Sequence, residues 1–290
     1  MFRTLCLIAA LLVAGAPQAQ QPAPPQVMSE DAGDRAAQAA RLWQVMDMDA
    51  LMPILRQEAL IEARAMQDEM FQNGGAGGWL DKVARIHDPA RLEALFKDGI
   101  RRNLPATPDP RLEAALDFYR TGLGQRLIGL ETSARQAMLD PETEAQARER
   151  FSAAASRADP RVRDIARLIE TADLLGPNVA GGMNAAIAFS RGFADAGGFD
   201  MNMSEEQMLA DAWAQEPAIR AETLGWLEAY LMLAYSPLND AELQIYIAFA
   251  GSDEGRALSA LLFAGFDALF LKTSRDLGVA AAAQMQGRAL

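Results

Sequence analysis

The chain has 290 residues and carries 27 Lys and Arg residues against 39 Asp and Glu residues, a formal net charge of −12. This balance argues against nucleic acid and anionic membrane surfaces as partners, because clustered Lys and Arg bind phosphate groups. One histidine, His87, and one cysteine, Cys6, are too few for a zinc site or a histidine-based catalytic triad. We therefore predict no metal, no cofactor, no catalytic residue, and a protein that is not an enzyme.

The first residues have the pattern of a secretory signal peptide. Arg3 precedes an apolar run at 5–15, and small residues around Ala19 follow that run. The run is shorter than the roughly 20 apolar residues that cross a bilayer, so we predict cleavage after Ala19 rather than an anchor. Residues 1–19 are the predicted signal peptide, and residues 20–31, rich in Pro and Gln, a disordered tether. We expect a periplasmic or secreted protein with no membrane span in the mature chain.

The rest of the chain has helical periodicity. Apolar residues recur at spacings of three and four, and no alternating runs are joined by a hairpin turn. The series from Leu42 to Ile61 predicts a long first helix. Asp-Pro pairs suit helix starts, because Asp accepts bonds from free N–H groups and proline is tolerated in the first turn. These pairs are Asp88-Pro89, Asp109-Pro110, Asp140-Pro141 and Asp159-Pro160. We predict an all-α fold.

Two further helix starts and one core helix are indicated by local pattern. Ser204 with Gln207, and Asn239 with Glu242, have the spacing of capping boxes. Residues 256–271 form the most apolar segment outside the signal peptide, but this segment is short for a membrane span and contains charged side chains. We therefore predict a core helix there.

The two halves of the chain share an ordered series of similar residues. The offset between them grows from 126 to 131, as loop insertions would produce, although helical periodicity alone can also align two segments. The series predicts an internal duplication, with helical repeats at 32–140 and 159–290 and a helical bridge at 141–158, in a multi-helix array or bundle. We expect each matched glycine to mark a turn or a close contact between helices. Matched pairs include Arg35 with Arg161, Asp47 with Asp173, Pro89 with Pro217, Phe118 with Phe249, and Gly124 with Gly255.

The end of each half carries a recurring motif. In 109–125 and in 240–256, an aspartate is followed three positions later by leucine, then by Phe, and then by Gly with Gln or Arg. This motif resembles the helix pair of domain of unknown function 2059, an uncharacterised family of exported bacterial helical proteins, in apparently two tandem copies. The second copy departs from the first at Ala250, which stands where the first has Tyr119. The resemblance implies an extracytoplasmic helical domain and supplies no catalytic residues.

Three functional hypotheses follow. We favour a non-enzymatic extracytoplasmic helical protein that binds another protein or an apolar ligand. The alternative is a carboxylate-dependent cell-envelope hydrolase, because a single glutamate can suffice for glycan cleavage. The weaker alternative is Cu(I) binding through the methionine pairs Met46 with Met48 and Met201 with Met203, although methionine more commonly fills cores. His87 lies at a predicted helix boundary, where we expect a solvated side chain.

Overall fold

A computed structural model describes residues 30–71, 77–199 and 204–287, and these residues form helices and no strand, which confirms the all-α prediction. The predicted signal peptide at 1–19 and nearly all of the tether at 20–31 lie outside the described residues. In chain order the helices are α1 (Glu30–Val45), α2 (Met48–Met70), α3 (Trp79–Ile86), α4 (Pro89–Asn103), α5 (Pro110–Arg120), α6 (Gly122–Ala137), α7 (Pro141–Ser156), α8 (Pro160–Thr171), α9 (Leu175–Asp195), α10 (Glu205–Tyr235), α11 (Asp240–Ala250) and α12 (Asp253–Met285).

Each Asp-Pro pair begins a helix, as predicted. In α4, α5, α7 and α8 the aspartate is the N-cap, and its carboxylate accepts hydrogen bonds from N–H groups of the first turn. Both capping boxes are also present, Ser204 with Gln207 at α10 and Asn239 with Glu242 at α11. Capping explains these residues, because the first N–H groups of a helix have no acceptor inside it.

The prediction of one long helix over 42–61 is wrong, because the chain breaks between α1 and α2 at Asp47. The φ angle of Asp47 is 49°, in the left-handed region that aspartate tolerates better than most residues. Asp173 makes a similar break between α8 and α9, with a φ angle of 42°. Hydrophobic periodicity does not reveal the first break, because Met46 and Met48 on either side of it are both buried.

The turns between α5 and α6 and between α11 and α12 have the same construction. Thr121 Oγ1 accepts a hydrogen bond from the Gly124 N–H, and Ser252 Oγ accepts one from the Gly255 N–H, both at 3.1 Å. A Cβ on Gly124 would lie 2.4 Å from a carbonyl oxygen of α5, and a Cβ on Gly255 would lie 2.3 Å from one of α11. Both glycines therefore permit a close contact with the preceding helix, as predicted.

Residues of both halves share one apolar core. Phe118 and Phe249 stack with ring centroids 3.7 Å apart and planes inclined by 7°. The buried residues around them come from 32–140 and from 159–290 and form one connected cluster. The chain is therefore one packed array of helices rather than two separate lobes. The cluster includes Leu42, Phe96, Leu127, Leu168, Trp226 and Leu262.

Helix α10 is continuous although it contains Pro217. The segment that the predicted repeat would align with α10 is divided into α3 and α4. Proline removes one backbone hydrogen bond from a helix, but α10 packs along α6, α7, α8 and α9. Most of the buried residues of α10 lie in its C-terminal half, from Ile219 onward. That half carries Trp226 and Tyr230, which lie at the candidate site.

Helix α12 is the central helix and packs against α3, α4, α5, α9 and α11. By length and composition it is the one helix among the described residues that could cross a membrane, and 56% of its most apolar stretch is buried inside the protein. A core helix of a globular protein passes the same test, so this composition is weak evidence for a span. The packing agrees with the core helix predicted at 256–271.

Candidate functional site

A cavity of about 420 Å³ opens between α2, α6, α7 and α10. Its lining combines apolar side chains, among them Ile61, Met138 and Trp226, with acidic and basic side chains. Small-molecule sites in proteins have volumes of roughly 300–1,000 Å³ and an apolar lining with a few polar groups. This cavity has a volume in that range, and six of its twelve lining residues are charged. The cavity is therefore the best candidate for a ligand site among the described residues.

A buried ion pair lies against the aromatic side of the cavity. Arg135 donates to both carboxylate oxygens of Glu58, from Nε at 2.7 Å and from Nη2 at 2.9 Å. Its guanidinium carbon lies 5.8 Å from the ring centre of Trp226, which in turn stacks on Tyr230. Burial lowers the pKa of Arg135, but the charge and hydrogen bonds of Glu58 outweigh burial and raise it. Arg135 therefore stays charged, and its bonds to Glu58 join α2 to α6 in a fixed geometry.

A second ion network lies at the rim of the cavity and is centred on Arg148. Its Nε donates to Glu144 on α7 at 2.8 Å, and its Nη2 donates to Glu222 on α10 at 2.7 Å. Gly225 leaves room for this guanidinium, because a Cβ there would lie 3.1 Å from Nη1. The network connects α7 to α10, and water screens it because each side chain is about one-third exposed.

Near Trp226, all four tyrosines of the chain lie around one buried carboxyl group. The Tyr235 hydroxyl donates to Glu131 Oε1 at 2.8 Å, and the Tyr246 hydroxyl lies 3.5 Å from the same oxygen. The Tyr230 hydroxyl donates to the backbone carbonyl of Glu131 at 3.0 Å. Tyr119 is fully buried beside Tyr246. We call Glu131 and these four tyrosines the tyrosine cluster.

The carboxyl group of the tyrosine cluster is neutral at pH 7. Burial raises the pKa of Glu131 from 4.5 to about 8, and hydrogen bonds from Tyr235 and Tyr246 oppose only part of that effect. Burial raises the pKa of Tyr230, Tyr235 and Tyr246 well above 10. The negative charge that Glu131 carries above its own pKa of about 8 acts in the same direction. The cluster therefore avoids a charge in the core, which would carry a large desolvation penalty.

A carboxylate hydrolase needs a protonated carboxyl group inside the cavity that holds its substrate. In this structure the protonated carboxyl group and the cavity lie apart. Glu131 keeps a proton as a general acid does, but it is 6% exposed and does not line the cavity. Four carboxylates line the cavity, and those of Glu58, Glu144 and Glu222 are bonded to arginines. An ion pair with arginine occupies these three carboxylates, whereas a general acid needs a carboxyl group within hydrogen-bond reach of the substrate. The arrangement therefore favours binding over hydrolysis.

The prediction of a solvated His87 is wrong. The residue does lie at the end of α3, but only 8% of it is exposed. Its Nδ1 lies 3.0 Å from the carbonyl oxygen of Val83 and donates to it, because a carbonyl can only accept. Burial lowers the pKa of His87 to about 4, with a smaller contribution from Arg91, so the ring is neutral at pH 7. His87 does not line the cavity and packs as part of the helix end.

The methionine pairs give the copper hypothesis little support. Met46 and Met48 are 3% and 0% exposed and belong to the apolar core, where thioethers fill irregular space. The pair Met201 and Met203 lies outside the described residues. Across 30–71, 77–199 and 204–287, no group of three or more His, Cys, Asp or Glu side chains could hold a metal ion.

The N-terminal half of α10 presents an exposed apolar pair. Trp213 is 66% exposed and Leu209, one turn earlier, is 38% exposed. Exposed tryptophan is enriched at protein contact sites, because it combines a large apolar surface with a polar N–H group. This pair does not line the cavity and forms a second, separate candidate surface.

Sequence pattern alone does not single out Glu131 or Arg135 as members of the candidate site. Both lie on the apolar face of α6, together with Leu127 and Ile128. A glutamate and an arginine four residues apart on a buried helix face require internal partners. Their position on the apolar face is the feature of the sequence that could have indicated a buried polar site. The partners could not be named from the sequence, because they lie on α2, α10 and α11.

The chain was compared with protein-family models, with curated proteins and with solved structures. None of them matches it.

Proposed function

We propose that this chain is a non-enzymatic helical protein that binds an apolar or amphiphilic small molecule in the cavity between α2, α6, α7 and α10. The observation that carries the proposal is the combination of an apolar wall at Trp226 with carboxylates that are bonded to arginines. Such a lining can surround and orient a ligand. The carboxylates of Glu58, Glu144 and Glu222 are held by arginines and are not placed for proton transfer to a ligand.

Filling the cavity opening, or removing its aromatic wall, should weaken ligand binding. Ala145 is exposed at the cavity wall, so Ala145→Trp places an indole in the opening without removing core contacts. Trp226→Ala removes the aromatic wall. We expect both variants to raise the dissociation constant of N-phenyl-1-naphthylamine, a neutral apolar dye, at least tenfold, as measured by fluorescence titration. Trp226→Ala removes a buried tryptophan and therefore lowers the stability by about 3–5 kcal/mol. Ala145→Trp tests the same cavity without this loss of stability.

Trp213→Ala is the matched control, because it removes the same side chain from an exposed position outside the cavity. It should leave the dissociation constant of the dye unchanged. Equal binding of the dye to wild type, Ala145→Trp and Trp226→Ala would contradict the proposal. A loss of binding with Trp213→Ala alone would instead favour the surface of Leu209 and Trp213, which suits a protein partner.

The proposed site of action is outside the cytoplasm, in the periplasm or the medium. Support comes from the basic start, the short apolar run and the small residues before Gln20. Expression of the full chain in a Gram-negative bacterium should give a mature protein whose first residue is Gln20. N-terminal sequencing checks this, and a protein that retains residues 1–19 would contradict it.

The proposal includes an internal duplication and a relationship to domain of unknown function 2059. Supporting features are the left-handed aspartates Asp47 and Asp173, which are 126 positions apart, and the similar turns at Gly124 and Gly255. The stacked pair of Phe118 with Phe249 also joins matched positions. Superposition of 32–140 on 159–290 would contradict the duplication if these matched residues failed to coincide.

A further inference from the structure

The charges around the cavity are unbalanced. Glu58, Glu62, Glu144 and Glu222 line it together with only two basic residues, Arg135 and Arg148. The formal sum is four negative and two positive charges, and the whole chain is also negative at −12. A cavity with low-dielectric walls concentrates such a potential, so it attracts cations and repels anions.

Both arginines are already engaged. Arg135 holds Glu58 through two hydrogen bonds, and Arg148 bonds to Glu144 and Glu222 at once. An anionic ligand could reach only the remaining N–H donors of Arg148, and it would lie there beside the carboxylates of Glu144 and Glu222, which repel it.

A cationic headgroup would not have to break these pairs. Arg148 bonds to the Oε1 atoms of Glu144 and Glu222, and across the described residues no hydrogen bond to either Oε2 atom is found. A carboxylate has about four acceptor positions, so these oxygens can accept further N–H donors. Both side chains are about one-third exposed and therefore accessible from the cavity mouth.

We infer that the cavity selects a cationic amphiphile, in which a protonated amine lies between Glu144 and Glu222 and the apolar part lies against Trp226. The inference rests on the proposed function, because it names the class of ligand for the same cavity. The apolar wall supplies hydrophobic contact for any chain, and the charged rim decides between headgroups.

Three probes with the same ten-carbon chain and different headgroups test the inference: decylamine, decanol and decanoate, titrated at pH 7 below their micelle concentrations by isothermal calorimetry. We expect decylamine to bind at least tenfold more tightly than decanol, and decanoate to bind most weakly. Binding of decanol or decanoate as tight as that of decylamine would overturn the inference and leave the proposed function intact. Failure of all three to bind would overturn both.

A double variant tests the role of the rim. Glu144→Gln with Glu222→Gln removes two negative charges and should reduce the preference for decylamine over decanol to less than threefold. Glu205→Gln with Glu206→Gln changes the net charge equally at exposed positions outside the cavity, and should leave the preference unchanged. If both double variants lower the preference equally, the rim has no specific role and the inference is wrong. If the rim variant does not fold, the wild-type probe series decides alone.

Discussion

Alanine in place of Gly192 or Gly278 is expected to lower the free energy of unfolding by about 3 kcal/mol or more. A Cβ on Gly192 would lie 2.0 Å from the carbonyl oxygen of Arg275, and a Cβ on Gly278 would lie 2.1 Å from that of Phe189. These contacts are reciprocal, because each glycine of one helix faces a backbone carbonyl of the other. Backbone atoms cannot turn aside as a flexible side chain can, so α9 and α12 would have to move apart.

Urea denaturation of the wild type and of each single variant measures this loss. Gly129→Ala is the matched control, because Gly129 is an exposed residue inside α6 and a Cβ there would have no neighbour within 4 Å. That variant should raise the free energy of unfolding by up to about 1 kcal/mol, since alanine favours helix over glycine. Equal stability of Gly192→Ala and Gly129→Ala would show that α9 and α12 can separate without loss of packing.

Local features of the sequence predicted much of the helical architecture. Asp-Pro pairs, capping boxes and the glycines at 124 and 255 act within a few residues, so their physical chemistry does not depend on the rest of the fold. The helix break at Asp47 was not predicted. The break depends on a left-handed backbone conformation, and the apolar pattern continues across it because the side chains before and after it both reach the core.

The candidate site could not be predicted in the same way. The pairs of Glu58 with Arg135 and of Arg148 with Glu222 join residues 77 and 74 positions apart. No local rule identifies such partners, because the packing of α2, α6, α7 and α10 brings them together. The sequence could show only that polar residues lie on apolar helix faces, and such residues serve either binding or structure.

The buried glutamate connects stability to pH. Glu131→Gln should make the protein more stable than wild type at pH 8 and above, and similar to it near pH 5. Glutamine resembles the protonated carboxyl group in shape and in hydrogen bonding, so it suits a cluster that holds Glu131 neutral. The neutral form is favoured because burial raises the pKa of Glu131 from 4.5 to about 8.

The direction in which stability changes with pH follows from proton binding to Glu131. Between pH 4.5 and about 8, the folded protein retains a proton on Glu131 that the unfolded chain has lost. Stability from this group is therefore complete below pH 4.5 and declines as the pH rises towards 8, with a slope approaching about 1.4 kcal/mol per pH unit. The difference in the free energy of unfolding between Glu131→Gln and wild type therefore reaches about 5 kcal/mol above pH 8. Rearrangement of the tyrosines or entry of water would reduce it.

Urea denaturation at pH 5, 6.5, 8 and 9 measures the difference between wild type and Glu131→Gln at each pH. Taking this difference removes the titrations that the two proteins share. Tyr230, Tyr235 and Tyr246 stay protonated in the folded protein at these pH values, because burial raises their pKa well above 10. Glu206→Gln, at an exposed position of α10, should show a difference of less than about 0.5 kcal/mol at every pH. A constant difference for Glu131→Gln would mean that its carboxyl group titrates alike in the folded and unfolded chains. The tyrosines would then not be excluding water from it, and the core near Trp226 would be open rather than closed.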